Sequence, residues 1–373
     1  MAKHKVIFAV NPGSTTTKCA LFYLIGEKIE RIIENTIDHP ISEIHQFAKI
    51  CDQINYREEI VRYFIEEYLP EGANMVACAG RGGMLTPVPS GAIKVNEELV
   101  NFSLYTPIYQ HASNLGAPLA YRIAQYYNVP AFIVDPVSVD EFSLIARISG
   151  CPDFPRFSFV HALNIRAIVR KFATEIGKDF NEIRCVVAHL GGGFSIAAID
   201  QGKIVDNDNR MESAPFTPER AGGIPPIPLL EACFSGKYKK EELLLKLYGE
   251  GGVYAYLGSK NMVELEKRAK QGDKKVQKIY YALIYQIGKE IAAMASVLDF
   301  EIDGIIITGG LARDQFLING LTRKIKKLAN IYLYPGSNEN EALAETVARV
   351  LTGKEGYLNW PVEFRNSEEI NDD

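Results

Sequence analysis

Residues 5–18 read Lys5-Val6-Ile7-Phe8-Ala9-Val10-Asn11-Pro12-Gly13-Ser14-Thr15-Thr16-Thr17-Lys18, and residues 184–195 read Arg184-Cys185-Val186-Val187-Ala188-His189-Leu190-Gly191-Gly192-Gly193-Phe194-Ser195. Each stretch is a short apolar run that ends in a glycine-bearing turn and is followed by a second apolar run. The first predicts a strand over Lys5–Asn11, a turn over Pro12–Thr17 and a strand over Lys18–Tyr23. A second turn at Gly26-Glu27 and a third strand over Glu30–Ile37 complete an antiparallel meander. The second stretch predicts strands over Arg184–Leu190, Phe194–Ile199 and Ile204–Asn207, with turns at Gly191–Gly193 and Asp200–Lys203. The turns Gly26-Glu27-Lys28-Ile29 and Gln201-Gly202-Lys203-Ile204 fall at matching places, so the unit recurs at an offset of about 175 residues. That is close to half of a 373-residue chain, itself too long for one ordinary core. The expectation is two domains of like α/β topology.

Away from these stretches, Met75–Ala79, Ala131–Val134 and Ile305–Thr308 are short apolar runs ending at Gly or Asp. They predict buried strands with functional loops at their C-terminal ends. Ile41–Leu69 and Lys278–Leu298 carry apolar residues at helical spacing. Pro225, Pro226 and Pro228 predict an irregular loop, and the acidic tail from Asn366 to Asp373 is expected to fray.

Composition narrows the function. Hydrophobic residues make up 47% and charged residues 23%, as in a soluble globular protein. The 41 basic and 46 acidic side chains give a net charge of −5, which argues against nucleic acid as a partner. Six scattered cysteines form no CxxC pair and predict reduced core residues. No apolar run reaches the ~20 residues of a membrane helix, and the N-terminal run is too short for a signal peptide. The chain is therefore expected in the cytoplasm, with no membrane partner.

Three turns could carry chemistry. Asn11, Ser14, Thr16 and Lys18 bring amide, hydroxyl and ammonium donors to one turn, as a polyphosphate and its metal ion require. The turn is not a Walker loop, because GxxxxGK[ST] is missing and a strand follows. An ordinary polar hairpin has a similar composition. Gly191, Gly192 and Gly193, after His189, let backbone approach phosphate oxygens closely. Gly309 and Gly310 follow the third apolar run, where a helix start would suit a phosphate, or where a strand and helix simply pack tightly.

Taken together, these turns resemble the actin, sugar-kinase and heat-shock chaperone ATPase fold, and within it the acetate and butyrate kinase family. Asn11-Pro12-Gly13-Ser14-Thr15-Thr16-Thr17-Lys18 is similar to that family's opening signature, and His189–Ser195 to its His-Leu-Gly-x-Gly-x-Ser. Gly80-Arg81-Gly82-Gly83, His111-Ala112-Ser113-Asn114, Phe159–Asn164, Phe216–Arg220 and Gly336–Ala344 match as well, and the wording favours the butyrate branch. The resemblance implies two duplicated actin-like (ribonuclease H-like) domains with a cleft between them. They would span 1–155, completed by a C-terminal helix at about 340–373, and 156–339. It implies reversible, direct in-line transfer from ATP to a short-chain fatty acid, butyrate or a branched relative, giving ADP and an acyl phosphate. It implies Mg²⁺ and a homo-oligomer.

Residue by residue, Arg81 matches the arginine that grips the acid and Arg220 the one at the transferring phosphoryl group. His161 matches the histidine contacting that group, His111 and Pro218 pocket residues, and Asp135 an acid near metal and substrate. Glu341 matches the magnesium-side acid, with Glu339 as its rival. The chemistry is sound, since two anions must be held together by positive charge. Two departures stand out. Asn261 and Val263 replace an Asp and an Arg of acetate kinases. Gly83 and Val160 replace bulkier residues, which predicts a wider acyl pocket. The rivals are an acetate or propionate kinase and, from another class, a chaperone-like or filament-forming ATPase.

Overall fold

The computed structural model describes residues 4–208 and 214–363. The acidic tail and the end of the expected C-terminal segment lie outside the described residues. The strands, in chain order, are β1 (Lys5–Pro12), β2 (Thr16–Ile25), β3 (Lys28–Asp38), β4 (Asn74–Arg81), β5 (Ala92–Lys94), β6 (Ala131–Val134), β7 (Arg184–Leu190), β8 (Phe194–Asp200), β9 (Lys203–Asn207), β10 (Gly304–Gly309), β11 (Ile331–Pro335) and β12 (Tyr357–Asn359). They form a seven-stranded sheet of order β12-β5-β6-β4-β1-β2-β3 and a five-stranded sheet of order β11-β10-β7-β8-β9.

The chain divides into two units, the first comprising 4–140, 162–164 and 338–363, the second 141–161, 165–208 and 214–337. In the first, β1 pairs antiparallel with β2 and β2 with β3, while β1, β4 and β6 run parallel. In the second, β7 pairs antiparallel with β8 and β8 with β9, while β7, β10 and β11 run parallel. The five strands β3-β2-β1-β4-β6 and the five strands β9-β8-β7-β10-β11 thus share one topology, the first sheet adding β5 and β12, as in the two-domain actin-like fold. A parallel pair needs a long crossover, and a sheet covered on both sides reads as continuous apolar sequence. The runs Val6–Val10 and Cys185–Ala188 are buried throughout for that reason.

Each unit has its own core. In the first, Val6, Phe8 and Val10 pack with Val61, Phe64 and Ile65 of helix Ile54–Tyr68 and with Leu119 and Ile123 of helix Gly116–Tyr127. Helix Glu339–Leu351 belongs to this unit and buries Leu343, Ala344, Val347 and Ala348. In the second, Val186, Leu190, Phe194 and Ile196 pack with Tyr280, Leu283, Ile287 and Ile291 of the long helix Lys274–Val297.

Several expectations change. Ile41–Leu69 is not one helix. It breaks into Ile41–Ile44, a 3-10 turn Ile50–Gln53 and helix Ile54–Tyr68, because the Asp52 carboxylate accepts from Lys49 N–H at 2.9 Å and starts a new turn. Pro225–Pro228 is not irregular throughout, since a helix runs Pro226–Phe234 with proline in its first turn, where no N–H partner is needed. Cys19, Cys78 and Cys185 are core residues whose thiols burial pushes well above the ordinary range, but Cys151 and Cys233 are exposed. No helix among the described residues is long and apolar enough to cross a membrane.

Candidate functional site

The first unit gathers polar groups at the C-terminal ends of adjacent parallel strands, where ligands of open α/β sheets bind. Asn11 is the penultimate residue of β1, Arg81 ends β4 and Asp135 follows β6. Asn11 Nδ2 donates to Glu339 Oε2 at 2.6 Å, and Arg81 Nη1 donates to Asn11 Oδ1 at 3.2 Å and reaches Glu339 Oε2 at 3.3 Å. The acid at this triangle is therefore Glu339 and not Glu341. Glu341 points to Arg31, at 3.3 Å, and accepts from Asn338 Nδ2 at 2.9 Å. Successive positions of a helix diverge by about 100°, so 339 and 341 face different neighbours. Asp135 has φ +38° and holds Gly91 on both sides, its N–H donating to Gly91 O and its Oδ1 accepting from Gly91 N–H.

The turn after β1 is exposed at Ser14 and Thr15. Neither their N–H groups nor their hydroxyls bond to other described residues, and no carboxylate among the described residues lies within ion-pair reach of Lys18. His111 caps the 3-10 turn Ala112–Leu115 through Nδ1, which accepts from Ser113 N–H at 3.1 Å. That bond places the proton of the neutral ring on Nε2.

Gly83 has a packing reason for lacking a side chain. A Cβ there would lie 2.4 Å from Asn114 Oδ1 and 2.7 Å from Asn114 Cα. Asn114 already fills that space and braces the loop, accepting from Met84 N–H and donating to Tyr109 O. The expected widening of an acyl pocket at Gly83 is thus not found, and Val160 is fully buried.

In the second unit, the β7–β8 hairpin carries Gly191–Gly193. A Cβ on Gly191 would meet nothing closer than 3.6 Å, one on Gly192 nothing closer than 3.8 Å, and one on Gly310 nothing within 4 Å. None of the three has positive φ. The fold does not need glycine at these positions, so bare backbone there suits an approaching ligand. Gly309 differs, with φ +88° and Leu190 O at 2.3 Å from a Cβ.

The segment Thr217–Arg220 is docked on this hairpin. Thr217 Oγ1 donates to Gly192 O at 2.8 Å and accepts from the N–H groups of Glu219 and Arg220. Arg220 consequently lies against Gly193, where a Cβ would come within 2.8 Å of its Nη1. That Nη1 is buried with no partner among the described residues. A cationic donor left unsatisfied is costly unless an anion completes it. Burial also pushes the guanidinium below its usual range, partly offset by Glu219. His161 Nδ1 lies 2.8 Å from Ser195 Oγ, which also accepts from His161 N–H, and the ring stacks on His189 at 4.4 Å. Pro218 is buried and its carbonyl accepts from Tyr254 N–H.

The expected helix start at Gly309-Gly310 is displaced. A 3-10 turn Gly310–Arg313 intervenes, and helix Gln315–Ile325 is capped by Asp314, whose carboxylate accepts from Leu317 N–H. That terminus is filled by a carboxyl group of the protein itself. Asn261 caps helix Met262–Lys270 by accepting from Glu264 N–H, a role Asn fills as well as Asp, and Val263 is exposed. Ser195, Thr217 and Glu339 are the residues that sequence reasoning undervalued. The first two lay inside the glycine-hairpin and Thr-Pro-Glu-Arg segments, and Glu339 two residues from the acid favoured. Among the described residues, no cluster of three or more His, Cys, Asp or Glu could hold a metal ion.

A profile of the Acetokinase family matches residues 156–349. A "Probable butyrate kinase" of Listeria monocytogenes serotype 4a (strain HCC23) is 41% identical over 350 residues, 94% of this chain and 98% of the relative. A "Probable butyrate kinase" of Listeria welshimeri is 42% identical over the same shares. Among solved structures, Porphyromonas gingivalis acetate kinase superposes with a TM-score of 0.75 at 17% identity, covering 93% of this chain and 100% of that one. A propionate kinase from Francisella tularensis superposes with a TM-score of 0.68 at 17% identity, covering 92% and 98%. These structural likenesses speak to the fold.

Proposed function

The chain belongs to the Acetokinase family and is a phosphotransferase with a carboxylate acceptor, and we propose that its acid is butyrate or a branched short-chain relative, phosphorylated reversibly by ATP. The observation that carries the phosphoryl-transfer reading is Arg220, a half-buried arginine whose Nη1 is buried against Gly193 with no partner among the described residues. It stands ready for the charge that develops on a phosphoryl group in flight. Gly191, Gly192 and Gly310 leave room for nucleotide phosphates, and His161, fixed by Ser195, donates to the transferring group. No protein nucleophile is invoked, and transfer is direct and in line.

Arg81 binds the acid. It already holds a carboxylate, that of Glu339, so its guanidinium is set for planar anion recognition. Substrate would take that place and free Glu339. Glu339, with phosphate oxygens, is our choice for the magnesium-side acid. Magnesium needs only one or two carboxylates beside phosphate, which fits the donors present. Asp135, His111 and Pro218 complete the acid side, and Asn11, Ser14, Thr16 and Lys18 meet the phosphate. We further propose a cytoplasmic homo-oligomer.

The preference for four carbons is supported by the Listeria relatives rather than by volume at Gly83. The test is acyl-hydroxamate formation with ATP, Mg²⁺ and hydroxylamine across acetate, propionate, butyrate, isobutyrate and valerate. We expect a peak at four carbons with graded neighbours, since a methylene discriminates by about 1–3 kcal/mol. A peak at acetate would overturn the butyrate assignment, and ATP hydrolysis without hydroxamate from any acid would overturn the acceptor.

A further inference from the structure

Arg57 is fully buried in the first turn of helix Ile54–Tyr68, and among the described residues no carboxylate lies within ion-pair distance of it. An unpaired buried charge is normally expelled by the cost of its desolvation. Burial lowers this guanidinium to about 10, so it still carries its charge at neutral pH. Its stabilisation comes from neutral oxygens. Nε and Nη2 donate to Gln53 Oε1 at 3.1 and 2.9 Å. Nη1 donates to Gly13 O at 2.9 Å, Thr16 O at 3.0 Å and Thr17 Oγ1 at 3.1 Å, and Nη2 to Ser14 O at 3.1 Å.

Four of these five acceptors belong to the turn after β1. His39 N–H takes the remaining carbonyl, that of Thr15, at 2.8 Å. Thr17 Oγ1 also bonds His39 Nε2 at 2.7 Å, so Arg57, Thr17 and His39 form one buried chain under the turn. All four carbonyls from Gly13 to Thr16 are therefore engaged by protein donors, three of them by this guanidinium. The N–H groups and hydroxyls of Ser14 and Thr15 have no protein partner among the described residues. A turn whose acceptors are held inward presents its donors outward, which is what an anionic ligand requires.

We propose that Arg57 is a positioning residue for phosphoryl transfer, a buried brace that fixes the carbonyls of the 13–17 turn inward so that its donors face a polyphosphate. This rests on the reading of that turn as phosphate-facing. Arg57 touches no substrate and acts only through the turn.

The experiment compares wild type, Arg57→Ala and Arg57→Lys by steady-state kinetics with ATP and acid varied separately. Circular dichroism reports the folded fraction, and millimolar guanidinium is added as a rescue. We expect Arg57→Ala to lose about 10–100-fold in kcat/KM for ATP. The KM for the acid should stay near that of wild type, and guanidinium should restore part of the loss. Lysine keeps the charge, but one nitrogen cannot reach three carbonyls and Gln53 together, so Arg57→Lys should show the same split at about 10-fold. Should the alanine variant not fold, the lysine variant carries the test. Loss that merely tracks the folded fraction, with both KM values unchanged and no rescue, overturns the proposal, as does full activity in Arg57→Lys. If wild type makes no hydroxamate with any acid, the acceptor assignment has failed instead. Arg57 is then judged by titration calorimetry with ATP and Mg²⁺ alone, where weaker binding in Arg57→Ala supports the proposal and equal binding overturns it.

Discussion

The hairpin between β1 and β2 and the hairpin between β7 and β8 occupy the same place in the same topology, yet they are built in opposite ways. In the first, a guanidinium lies beneath the turn and takes its carbonyls, and what remains outward are hydroxyls, amides and Lys18. In the second, Thr217 anchors the turn by one bond to Gly192 O, and the guanidinium of Arg220 lies against Gly193 with a nitrogen to spare. On the function proposed above, one arginine supports a ligand-facing turn and the other meets the ligand itself. Duplication supplied two equivalent turns, and the residues placed around each decided which would present side chains and which bare backbone with a cation.

The comparison breaks first at Arg220. Arg220→Ala is expected to lower kcat in the hydroxamate assay by about 10³-fold, the scale of a cation that stabilises charge in phosphoryl transfer, with little change in thermal stability. A loss below tenfold would mean that its unpartnered nitrogen is not aimed at the reacting phosphate. A sharper contrast lies in two adjacent glycines. Gly309→Ala should destabilise by about 2 kcal/mol or more, because φ is +88° and a carbonyl lies 2.3 Å from the new Cβ. Gly310→Ala should leave the melting temperature unchanged and still lower activity by about tenfold, since only a ligand would meet its methyl group. Unchanged activity in Gly310→Ala would mean that the bare backbone serves nothing that binds.

The smallest effect is at the base of the first hairpin. Burial, then the neighbouring Arg57, depresses His39 from 6.5 to about 4. The folded state thus binds fewer protons than the unfolded chain between those values. His39 contributes stability that is fully present above pH 6.5 and is lost as pH falls toward 4. The difference in unfolding free energy between wild type and His39→Gln should shrink by up to about 3 kcal/mol across that window, read by urea titration at pH 7 and pH 4.5. A difference independent of pH would place a charged imidazole in the core.

Much of the fold was legible in residues 5–38 and 184–207, because a strand buried on both faces must be apolar throughout and a hairpin must turn at glycine. Arg184–Leu190 and Ala131–Val134 were legible to the residue. The broken helix after Ile41 was less so, since its interruption depends on one carboxylate folding back on Lys49 N–H. Among the candidate site residues, Asn11, Arg81 and Glu339 meet only because β1 and β4 run parallel in register and a helix more than three hundred residues from Asn11 returns to their ends.

By itself, then, the sequence determined the two three-stranded hairpin units and the strands β4, β6 and β10, that the unit recurs, and which residue types cluster at the turns, because these follow from local periodicity and local chemistry, whereas β5, β11 and β12 went unread. Only the tertiary structure decided that Glu339 rather than Glu341 meets Arg81, that Gly83 is bare for Asn114 and Gly310 for nothing in the protein, and that Arg57 on an apolar helical stripe is a brace. Those outcomes depend on distances between residues far apart in the chain, which local pattern does not encode.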